Sequence, residues 1–373
     1  MPSPSESRLS RRHAPSPNSR TLPVLLVTAP RSVLRAVDGN LAIERHDQPT
    51  VTVSPARLRG VVVGSTIGAS AEVLALLADH ACSFVQLDVG GSVRVTLVPP
   101  DADVGTLLLC QAALERDRRR HGGHAIQIAG ELISLRIQAM DAILQQHERA
   151  RSAADDPSCC VIGGARREIS AWLARIPGTP TMDRLRGIEG ASSAAYWRCM
   201  STMLTGELTT SRRTRRPPRD AVNAMLSFGY SLLCAEMTGA VTAHGLAPSL
   251  GLLHTPQESA RPSLALDLVE PLRISIIDRM VLAMCNRGQM TLAHFEQPHG
   301  EPAVWMTPEG RKIFLTAYQS TMVSGVQLDD GSHCSVRCLI DRSVRWYIER
   351  MHQAVGGDEG AECPRAIAAE EQS

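Results

Sequence analysis

The sequence lacks the features that mark several common classes of protein. It has no run of about 18 uncharged apolar residues, so we expect no membrane-spanning segment and no membrane partner. The first residues, MPSPSESRLSRRHAPSPNSR, lack the apolar core of a secretory signal, and their Ser, Pro and Arg content predicts a disordered tail over 1–20. Phosphate-binding-loop, dinucleotide-binding and G-x-S-x-G motifs are also absent, which argues against the enzymes built on them.

Lysine is nearly absent, since only Lys312 among the 39 basic residues is a lysine. Arginine suits contacts with phosphate, but a GC-rich genome explains the same bias. The formal net charge is only +1, which neither favours nor excludes a polyanionic partner. Whether the protein binds a polyanion is therefore better indicated by where its basic residues cluster.

The composition is that of a soluble globular protein, and its length predicts two domains. The chain has 373 residues, of which 43% are apolar and 21% are charged. Its ten cysteines are scattered through a chain too long to need disulfides, so we expect reduced thiols and a cytoplasmic location.

The pattern of apolar residues changes after the first hundred positions. Short strand-like runs fill 21–100, with a hairpin signal at Asp38-Gly39-Asn40. Long helical periods fill 101–355, the first of them over 103–150. The predicted fold is therefore α+β and multi-domain, with a small β-rich N-terminal domain followed by a larger all-α catalytic domain.

Two further boundaries follow from local signals. The clearest helix, 219–245, has Asp220 as a candidate N-cap and Gly245 as a C-terminal stop. The polar segment 356–373 predicts a flexible tail.

Four polar residues interrupt apolar surroundings in the helical part. Glu189 lies between glycines in GIEGASSAAYW, and His254 ends the run PSLGLLH. Asp267 and Glu270 are three residues apart in RPSLALDLVEPLR, a spacing that puts both carboxylates on one face of a helix. Paired carboxylates repel each other unless a cation lies between them.

These residues form an oxygen-rich donor set with one imidazole, which is the ligand chemistry of Mn²⁺ or Mg²⁺. The imidazole favours Mn²⁺. Each residue alone also has an ordinary interpretation, as a hydrogen-bonded histidine, a solvated glutamate or a buried helix cap. A rival metal site, His333, Cys334 and Cys338 in HCSVRC, lacks a visible fourth ligand.

The basic residues cluster most densely just before the helix at 219–245. The segment SRRTRRPPR contains five arginines within eight positions. Such a cluster is either a solvated surface loop or a clamp for DNA phosphates. The candidate DNA-binding residues are Arg212, Arg213, Arg215, Arg216 and Arg219.

Four stretches then carry a family resemblance: GIEGASSAAYW, RRPPRDAVNAMLSFGYSLL, GLAPSLGLLH and RPSLALDLVEPLR. In this order and at these separations they resemble the Cas1 family, the CRISPR-associated integrase-nucleases of spacer acquisition. The usual forms in that family are close to G-x-E-G, R-R-P-P-x-D-P-V-N-A-L-L-S-F-G-Y, P-x-L-G-F-L-H and R-P-S-L-A-L-D-L-x-E. The similarity runs from about Leu22 to about Met351.

The resemblance implies residue roles. The metal ligands of the family fall on Glu189, His254 and Glu270, Asp267 matches an acidic residue beside the site, and Arg273 matches a basic position after the last ligand. Small residues around Glu189 would leave room for a metal ion and a phosphate backbone.

The resemblance also implies partners and an activity. The partners are double-stranded DNA, both protospacer and CRISPR repeat, a second copy of the chain through the β-rich domain, and a dimer of the small ferredoxin-like Cas2 protein. The expected activity is a metal-dependent DNA endonuclease and integrase that inserts foreign fragments as spacers for antiviral defence. A DNA-binding scaffold with weak or no catalysis is the alternative, and a helical metalloenzyme for a small substrate is a third. Ala221 replaces the usual Pro after Asp220, and TTSRRTRRPP is a loose form of the family's F-x-G-R-N-R-R-P-P segment. The second of these departures bears on DNA contacts.

Overall fold

A computed structural model of the protein describes residues 24–27, 32–45, 48–58, 60–88, 93–97, 104–121, 123–254, 261–298, 300–328 and 331–356. The predicted tail 1–20 lies outside the described residues, as does the predicted tail 356–373 apart from Gly356, which ends the last helix. All cysteines in the described part of the chain are free thiols.

The N-terminal part is built from two four-stranded sheets. One has the order β1-β5-β7-β8, parallel except for β8, and the other has the order β4-β3-β2-β6. The strands are β1 (Val24–Val27), β2 (Val33–Val37), β3 (Asn40–Arg45), β4 (Gln48–Val53), β5 (Gly60–Val63), β6 (Gly68–Ala69), β7 (Ser83–Leu87) and β8 (Val93–Leu97). Helix α1 (Ala71–Asp79) buries Val73 and Leu77 against the core between them.

The predicted hairpin is confirmed at the turn between β2 and β3. Val37 pairs with Asn40, which leaves a two-residue loop of Asp38 and Gly39, with φ values of +49° and +72°. Two consecutive positive φ values match the right-handed twist of the strands, and Asp-Gly is among the sequences that adopt them readily.

Helices make up most of the rest of the chain, as the sequence predicts. They are α2 (Val104–Arg119), α3 (Gly123–Ala153), α4 (Ser158–Leu173), α5 (Met182–Arg198), α6 (Met200–Met203), α7 (Ala221–Ala243), α8 (Ser263–Arg273), α9 (Arg279–Asn286), α10 (Pro308–Val323) and α11 (Val336–Gly356). A π-helical turn, Ile274–Asp278, joins α8 to α9. Two short hairpins, β9 (Phe295–Glu296) with β10 (Trp305–Met306) and β11 (Gly325–Gln327) with β12 (His333–Ser335), interrupt the helices.

The expectation of a single helix over 103–150 is wrong. The chain forms α2 and α3, and His121 between them has a φ of +56°. A non-glycine residue in this conformation is uncommon within any helix, so the chain turns there. The two glycines in the sequence HGG indicate a break in the helix, which the periodicity of apolar residues does not show.

Helix α7 is the central helix of the larger part. The Asp220 carboxylate accepts a hydrogen bond from Asn223 N, and Gly245 follows the C-cap with a φ of +79°, so both predicted helix ends are confirmed. By length and hydropathy, the stretch Ala221–Thr242 could also cross a membrane, but 72% of its most apolar window is buried inside the protein. Most of this stretch is therefore covered by the rest of the protein.

A buried ion pair ties α7 to α11. Arg337 Nε lies 2.8 Å from Glu236 Oε2, and the Tyr318 hydroxyl donates to Glu236 Oε1 at 3.1 Å. The Glu236 side chain is fully buried. The cost of removing both charges from water offsets their attraction, so this pair contributes little net stability. A buried charge without its partner costs several kcal/mol, so the pair penalises any arrangement that separates the two helices.

We expect Arg337→Met to lower the free energy of unfolding by about 3–5 kcal/mol, because it leaves the Glu236 carboxylate buried without its cation. The matched control is Arg198→Met, since Arg198 pairs with Glu168 at the surface and such pairs contribute about 0–1 kcal/mol. Urea denaturation followed by circular dichroism measures both values. Equal midpoints for the two variants would contradict the structural role of the buried pair.

Candidate metal centre and DNA interface

Glu189 projects from α5 at a point where the helix surface is open. The N-cap of this helix is Thr181, whose side chain accepts a hydrogen bond from Arg184 N at 3.3 Å. A methyl group added at Gly187 or Gly190 would meet no heavy atom within 4 Å. The two glycines therefore do not serve close packing inside the protein, and they leave free volume on either side of the carboxylate.

The guanidinium of Arg136 lies between Glu189 and Glu270. Arg136 belongs to α3, its side chain is 3% exposed, and Nη1 donates to Glu189 Oε1. The same Nη1 lies 3.0 Å from Glu270 Oε2, and Nη2 donates to Ser193 Oγ at 2.9 Å. Burial lowers the pKa of Arg136 to about 10, so the side chain remains a cation at neutral pH. The sequence did not single out Arg136, because nothing in its local sequence distinguishes it from a surface arginine.

Glu270 is buried on α8, between two arginines. Besides its contact with Arg136, its Oε2 lies 2.8 Å from Nη2 of Arg273, one helical turn further on. Burial opposes the charge of Glu270, but Arg273, Arg136 and His254 outweigh it and hold the pKa of this carboxyl below its ordinary value. Neither ion pair has hydrogen-bond geometry, so Oε2 is a buried oxygen without a hydrogen-bond donor in the described part of the protein.

Asp267 holds His254 in place. Its fully buried carboxylate accepts hydrogen bonds from the backbone N–H groups of Leu253 and His254, each at 3.0 Å. Its Oδ1 also lies 2.7 Å from His254 Nδ1. A carboxylate can only accept, so Nδ1 donates and Nε2 remains as the ring nitrogen available to a ligand.

Gly251 allows the loop that carries His254 to approach α8. An added Cβ there would lie 2.7 Å from the Ser263 carbonyl carbon and 2.8 Å from Asp267 Oδ2, closer than such atoms ever come. Arg186 of α5 fixes the same loop from the other side, since its Nε and Nη2 donate to Leu253 O at 3.1 and 3.0 Å. The loop is thus held between the helices that carry Glu189 and Glu270.

Arg213 differs from the other arginines of the predicted cluster. Its guanidinium donates to Asn223 Oδ1 at 2.8 Å and to Ser227 Oγ at 3.1 Å, and burial lowers its pKa. It also stacks over Tyr230, 5.3 Å from the ring centroid, and Arg273 stacks over that ring at the same distance. We therefore assign Arg213 to the site itself rather than to a solvated surface.

The other four arginines of the cluster are exposed, on a loop over 211–219 that we call the arginine loop. The buried amide of Asn223 holds this loop, donating to Arg212 O and Thr210 Oγ1 and accepting from Thr214 N. The charge of Arg215 also lowers the pKa of Glu270, so the loop lies close enough to act on the site. The exposed members are Arg212, Arg215, Arg216 and Arg219.

Tyr230 is itself fixed by a buried acid. Its hydroxyl donates to Asp278 Oδ1 at 2.5 Å, and burial raises the pKa of Asp278 to about 6. The SFGY motif thus supplies a ring over which the guanidinium groups of Arg213 and Arg273 both stack. The sequence did not single out Tyr230 or Asp278, because an aromatic and an acid in apolar helices are also ordinary core residues.

The site brings together the donors of the predicted metal centre, but not at coordination distance. Among the described residues, no group of three or more His, Cys, Asp or Glu side chains is close enough to hold a metal ion. The donor chemistry nevertheless fits a divalent cation. Two carboxylates already converge on a positive charge, a buried Glu270 oxygen has no donor, and His254 keeps Nε2 available. For Glu189 to bind a metal, its contact with Arg136 has to open.

The sequence matches one family over most of its length. The family model described as CRISPR associated protein Cas1 matches residues 25–320. A Thermus thermophilus protein named CRISPR-associated endonuclease Cas1 1 is 28% identical over 81% of this chain and 87% of its own. A Rhodospirillum rubrum protein named CRISPR-associated endonuclease Cas1 2 is 30% identical, over 80% of this chain and 86% of its own.

Solved structures share the fold. A casposase bound to integration product aligns with a TM-score of 0.73 and 22% identity, covering 94% of this chain and 96% of its own. The chain is also similar to part of a Cas6-RT-Cas1–Cas2 complex, with a TM-score of 0.72 and 18% identity over 90% of this chain and 35% of that longer one. The predicted fold class, a β-rich N-terminal part followed by a helical domain, is confirmed by these matches and by the structure.

The contact with Asp267 should set the pKa of His254 in the metal-free protein. Burial lowers the pKa of His254, but the hydrogen bond and charge of Asp267, with the charge of Glu270, outweigh burial and raise it above 6.5. Asp267→Asn should therefore lower this pKa, and Glu168→Gln, an exposed change elsewhere, should leave it unchanged. NMR titration of the imidazole measures the value.

The sign of the linked stability follows from the direction of the shift. Because the folded pKa lies above the unfolded one, protonated His254 stabilises the fold fully below about pH 6.5, and this contribution is lost as pH rises through the folded pKa. A folded pKa at or below 6.5 in the wild type would contradict the described contact.

Proposed function

This chain belongs to the CRISPR-associated Cas1 family, and on that premise we propose that it is a metal-dependent DNA endonuclease and integrase. Its curated relatives are named CRISPR-associated endonucleases, which supports a nuclease. In the proposed reaction, the terminal 3′-hydroxyl of a short DNA fragment attacks a phosphodiester at the edge of a CRISPR repeat. The observation that carries the proposal is the convergence of Glu189 and Glu270 on one buried cation, beside a histidine oriented by Asp267.

The reaction exchanges one phosphodiester for another. The attacking oxygen forms a bond to phosphorus as the bond to the leaving 3′-oxygen breaks, and the proton of the attacking hydroxyl is finally carried by the leaving one. Such a transfer depends on positioning and charge neutralisation more than on covalent help from the protein. We assign these two tasks to different groups of residues.

Glu189, Glu270 and His254 would hold Mn²⁺ or Mg²⁺, which when bound supplies a Lewis acid that neutralises charge on the reacting phosphate. Asp267 orients His254 and fixes its tautomer. Arg136 supplies the counter-charge that lets the two glutamates lie close together before any ion binds.

Arginines perform the second task, positioning, by holding the DNA backbone. Arg273, which pairs with Glu270, and Arg213 both stack over Tyr230, where their charge would act on the phosphate that reacts. The exposed cations of the arginine loop would neutralise phosphates further along the strand. Contacts of this kind read shape more than sequence.

We further propose that the protein acts in the cytoplasm as a homodimer, with the β-rich domain providing dimer and partner contacts. Two such dimers would assemble with a dimer of the small ferredoxin-like Cas2 protein around a protospacer. The similarity to part of a complex that contains Cas2 supports this assembly.

A DNA-binding scaffold without catalysis is the second candidate. The contact between Arg136 and Glu189 favours it, because a cation already lies between the carboxylates of Glu189 and Glu270. If the protein is such a scaffold, DNA binding and assembly should survive the loss of any metal ligand, and the wild type should not join strands.

We expect Glu189→Ala, His254→Ala and Glu270→Gln each to reduce strand joining below detection while DNA binding and the circular dichroism spectrum stay close to the wild type. Glutamine is chosen at position 270 because the side chain is buried between two arginines. Asp267→Asn should reduce the rate by about 10- to 100-fold, since it acts through His254. The measurement is joining of a labelled fragment to a repeat-containing duplex with Mn²⁺, with Mg²⁺ and with EDTA. Wild-type rates in any ligand variant would remove that residue from the catalytic set.

Arg273 and the exposed residues of the arginine loop should affect DNA binding and strand joining differently. Removing Arg215 and Arg216 together should weaken binding to every duplex alike and flatten the slope of log affinity against log salt by about 0.9 per lost contact. Arg273→Ala should lower the single-turnover joining rate more than affinity, because a cation beside the reacting phosphate contributes most in the transition state. An unchanged slope in the double variant would make the arginine loop a solvated surface, and equal losses in rate and affinity would make Arg273 an ordinary backbone contact.

A further inference from the structure

An exposed tryptophan lies beside the arginine loop. Trp305 of β10 is 48% exposed, and a single exposed apolar residue is ordinary by itself. Its surroundings are not ordinary, because the backbone N–H of Val304 donates to Pro218 O of the arginine loop at 2.9 Å. This hydrogen bond places the tryptophan next to the exposed cations that are proposed to hold DNA phosphates.

The hairpin of β9 and β10 holds Trp305 in place. Met306 and Phe295 pair across the hairpin, and both pack against the hydrophobic core. A Cβ added at Gly310 would clash with His294 O, so the first turn of α10 lies in close contact with the hairpin. Because successive side chains of a strand point to opposite faces, Trp305 projects outward from a backbone that is already fixed.

Arginines approach β10 at both ends. Arg219 is exposed and directly follows Pro218, whose carbonyl oxygen contacts the residue before Trp305. Arg311 of α10 is also exposed, and its Nη2 lies 3.4 Å from the carbonyl oxygen of Met306, the residue after Trp305. A nucleotide within a strand has a phosphate on each side of its base, so this order of cation, aromatic ring and cation suits a single strand of DNA.

A carboxylate lies opposite the tryptophan on the neighbouring strand. Trp305 pairs with Glu296 in the register of the hairpin, and both side chains are exposed. The Cβ atoms of directly opposed residues are about 4.5–5.5 Å apart on one face of a sheet. A carboxylate accepts hydrogen bonds and repels phosphate, so at this position it favours a base with an exocyclic amino group, such as cytosine.

We propose that Trp305 and Glu296 form a site, which we call the base platform, for an unpaired base of the bound DNA. The indole ring stacks on the base, and Glu296 accepts a hydrogen bond from its amino group. Arg219 and Arg311 hold the neighbouring phosphates. This role rests on the proposed DNA binding and needs neither the metal ion nor strand joining.

The test is fluorescence anisotropy of labelled duplexes titrated with the full chain in EDTA. A blunt duplex is compared with duplexes of the same number of nucleotides that carry three unpaired dC nucleotides at the 3′ ends or at the 5′ ends. We expect one extended duplex to bind at least about fivefold more tightly than the blunt one, because a base gains this much by stacking on an aromatic side chain. The end with the tighter extension identifies the strand that reaches the base platform.

Variants of the tryptophan separate stacking from other causes. Trp305→Ala should abolish the difference between extended and blunt duplexes, and Trp305→Phe should keep most of it, since phenylalanine also stacks. The matched control is Val323→Ala, which shortens another exposed apolar side chain, at the end of α10, and should leave both affinities unchanged. An extended duplex that keeps its advantage in Trp305→Ala would overturn the proposal. A changed oligomeric state of that variant with unchanged DNA affinity, measured by light scattering, would also overturn it and make Trp305 a protein contact.

The choice of base tests Glu296. The wild type should bind an extension of dC about tenfold more tightly than one of dU, which has a carbonyl oxygen in place of the amino group. Glu296→Gln should bind both alike, because an amide donates as well as accepts. Equal affinity of the wild type for dC and dU would overturn the role of Glu296. A wild type that binds no duplex would overturn the proposed DNA binding as well, whereas normal binding without strand joining would contradict only the proposed reaction.

Discussion

The buried guanidinium of Arg136 holds the candidate site together. Glu189 and Glu270 come from different helices, and both carboxylates contact this one cation from a third. Without it, two negative charges in a poorly solvated space would repel each other and one would take up a proton. The position of α3 against α5 and α8 is thus coupled to the chemistry of the site. If the site functions as proposed, the same cation would have to release Glu189 before the carboxylates could bind a metal ion.

The remaining charges form a second layer around this contact. Arg273 balances the buried Glu270, and the ring of Tyr230 contacts the guanidinium groups of both Arg273 and Arg213. Asp278 anchors the tyrosine hydroxyl from within the core. Cations therefore outnumber the acids on the side where DNA is proposed to lie. This arrangement suits a polyanionic substrate, which would complete the neutralisation that the protein leaves unfinished.

Local signals predicted much of the fold, and long-range contacts explain the failures. The hairpin at Asp38 and the cap at Asp220 follow from a few neighbouring residues, so the sequence alone was sufficient. The grouping of Glu189, His254 and Glu270 came from family resemblance, not from periodicity. Arg136 could not be predicted, because its importance depends on residues 53 and 134 positions away along the chain. Arg213 was grouped with surface cations for the same reason.

The central claim is that the space around Glu189, His254 and Glu270 accepts a divalent cation once Arg136 withdraws. The most direct measurement is the anomalous difference map of a crystal soaked in Mn²⁺ and collected near the manganese absorption edge. We predict a peak bonded to a carboxylate oxygen of each glutamate and to Nε2 of His254, with Arg136 no longer in contact with Glu189. A crystal in which Arg136 still bridges both glutamates at saturating Mn²⁺, with no peak between them, would contradict the claim.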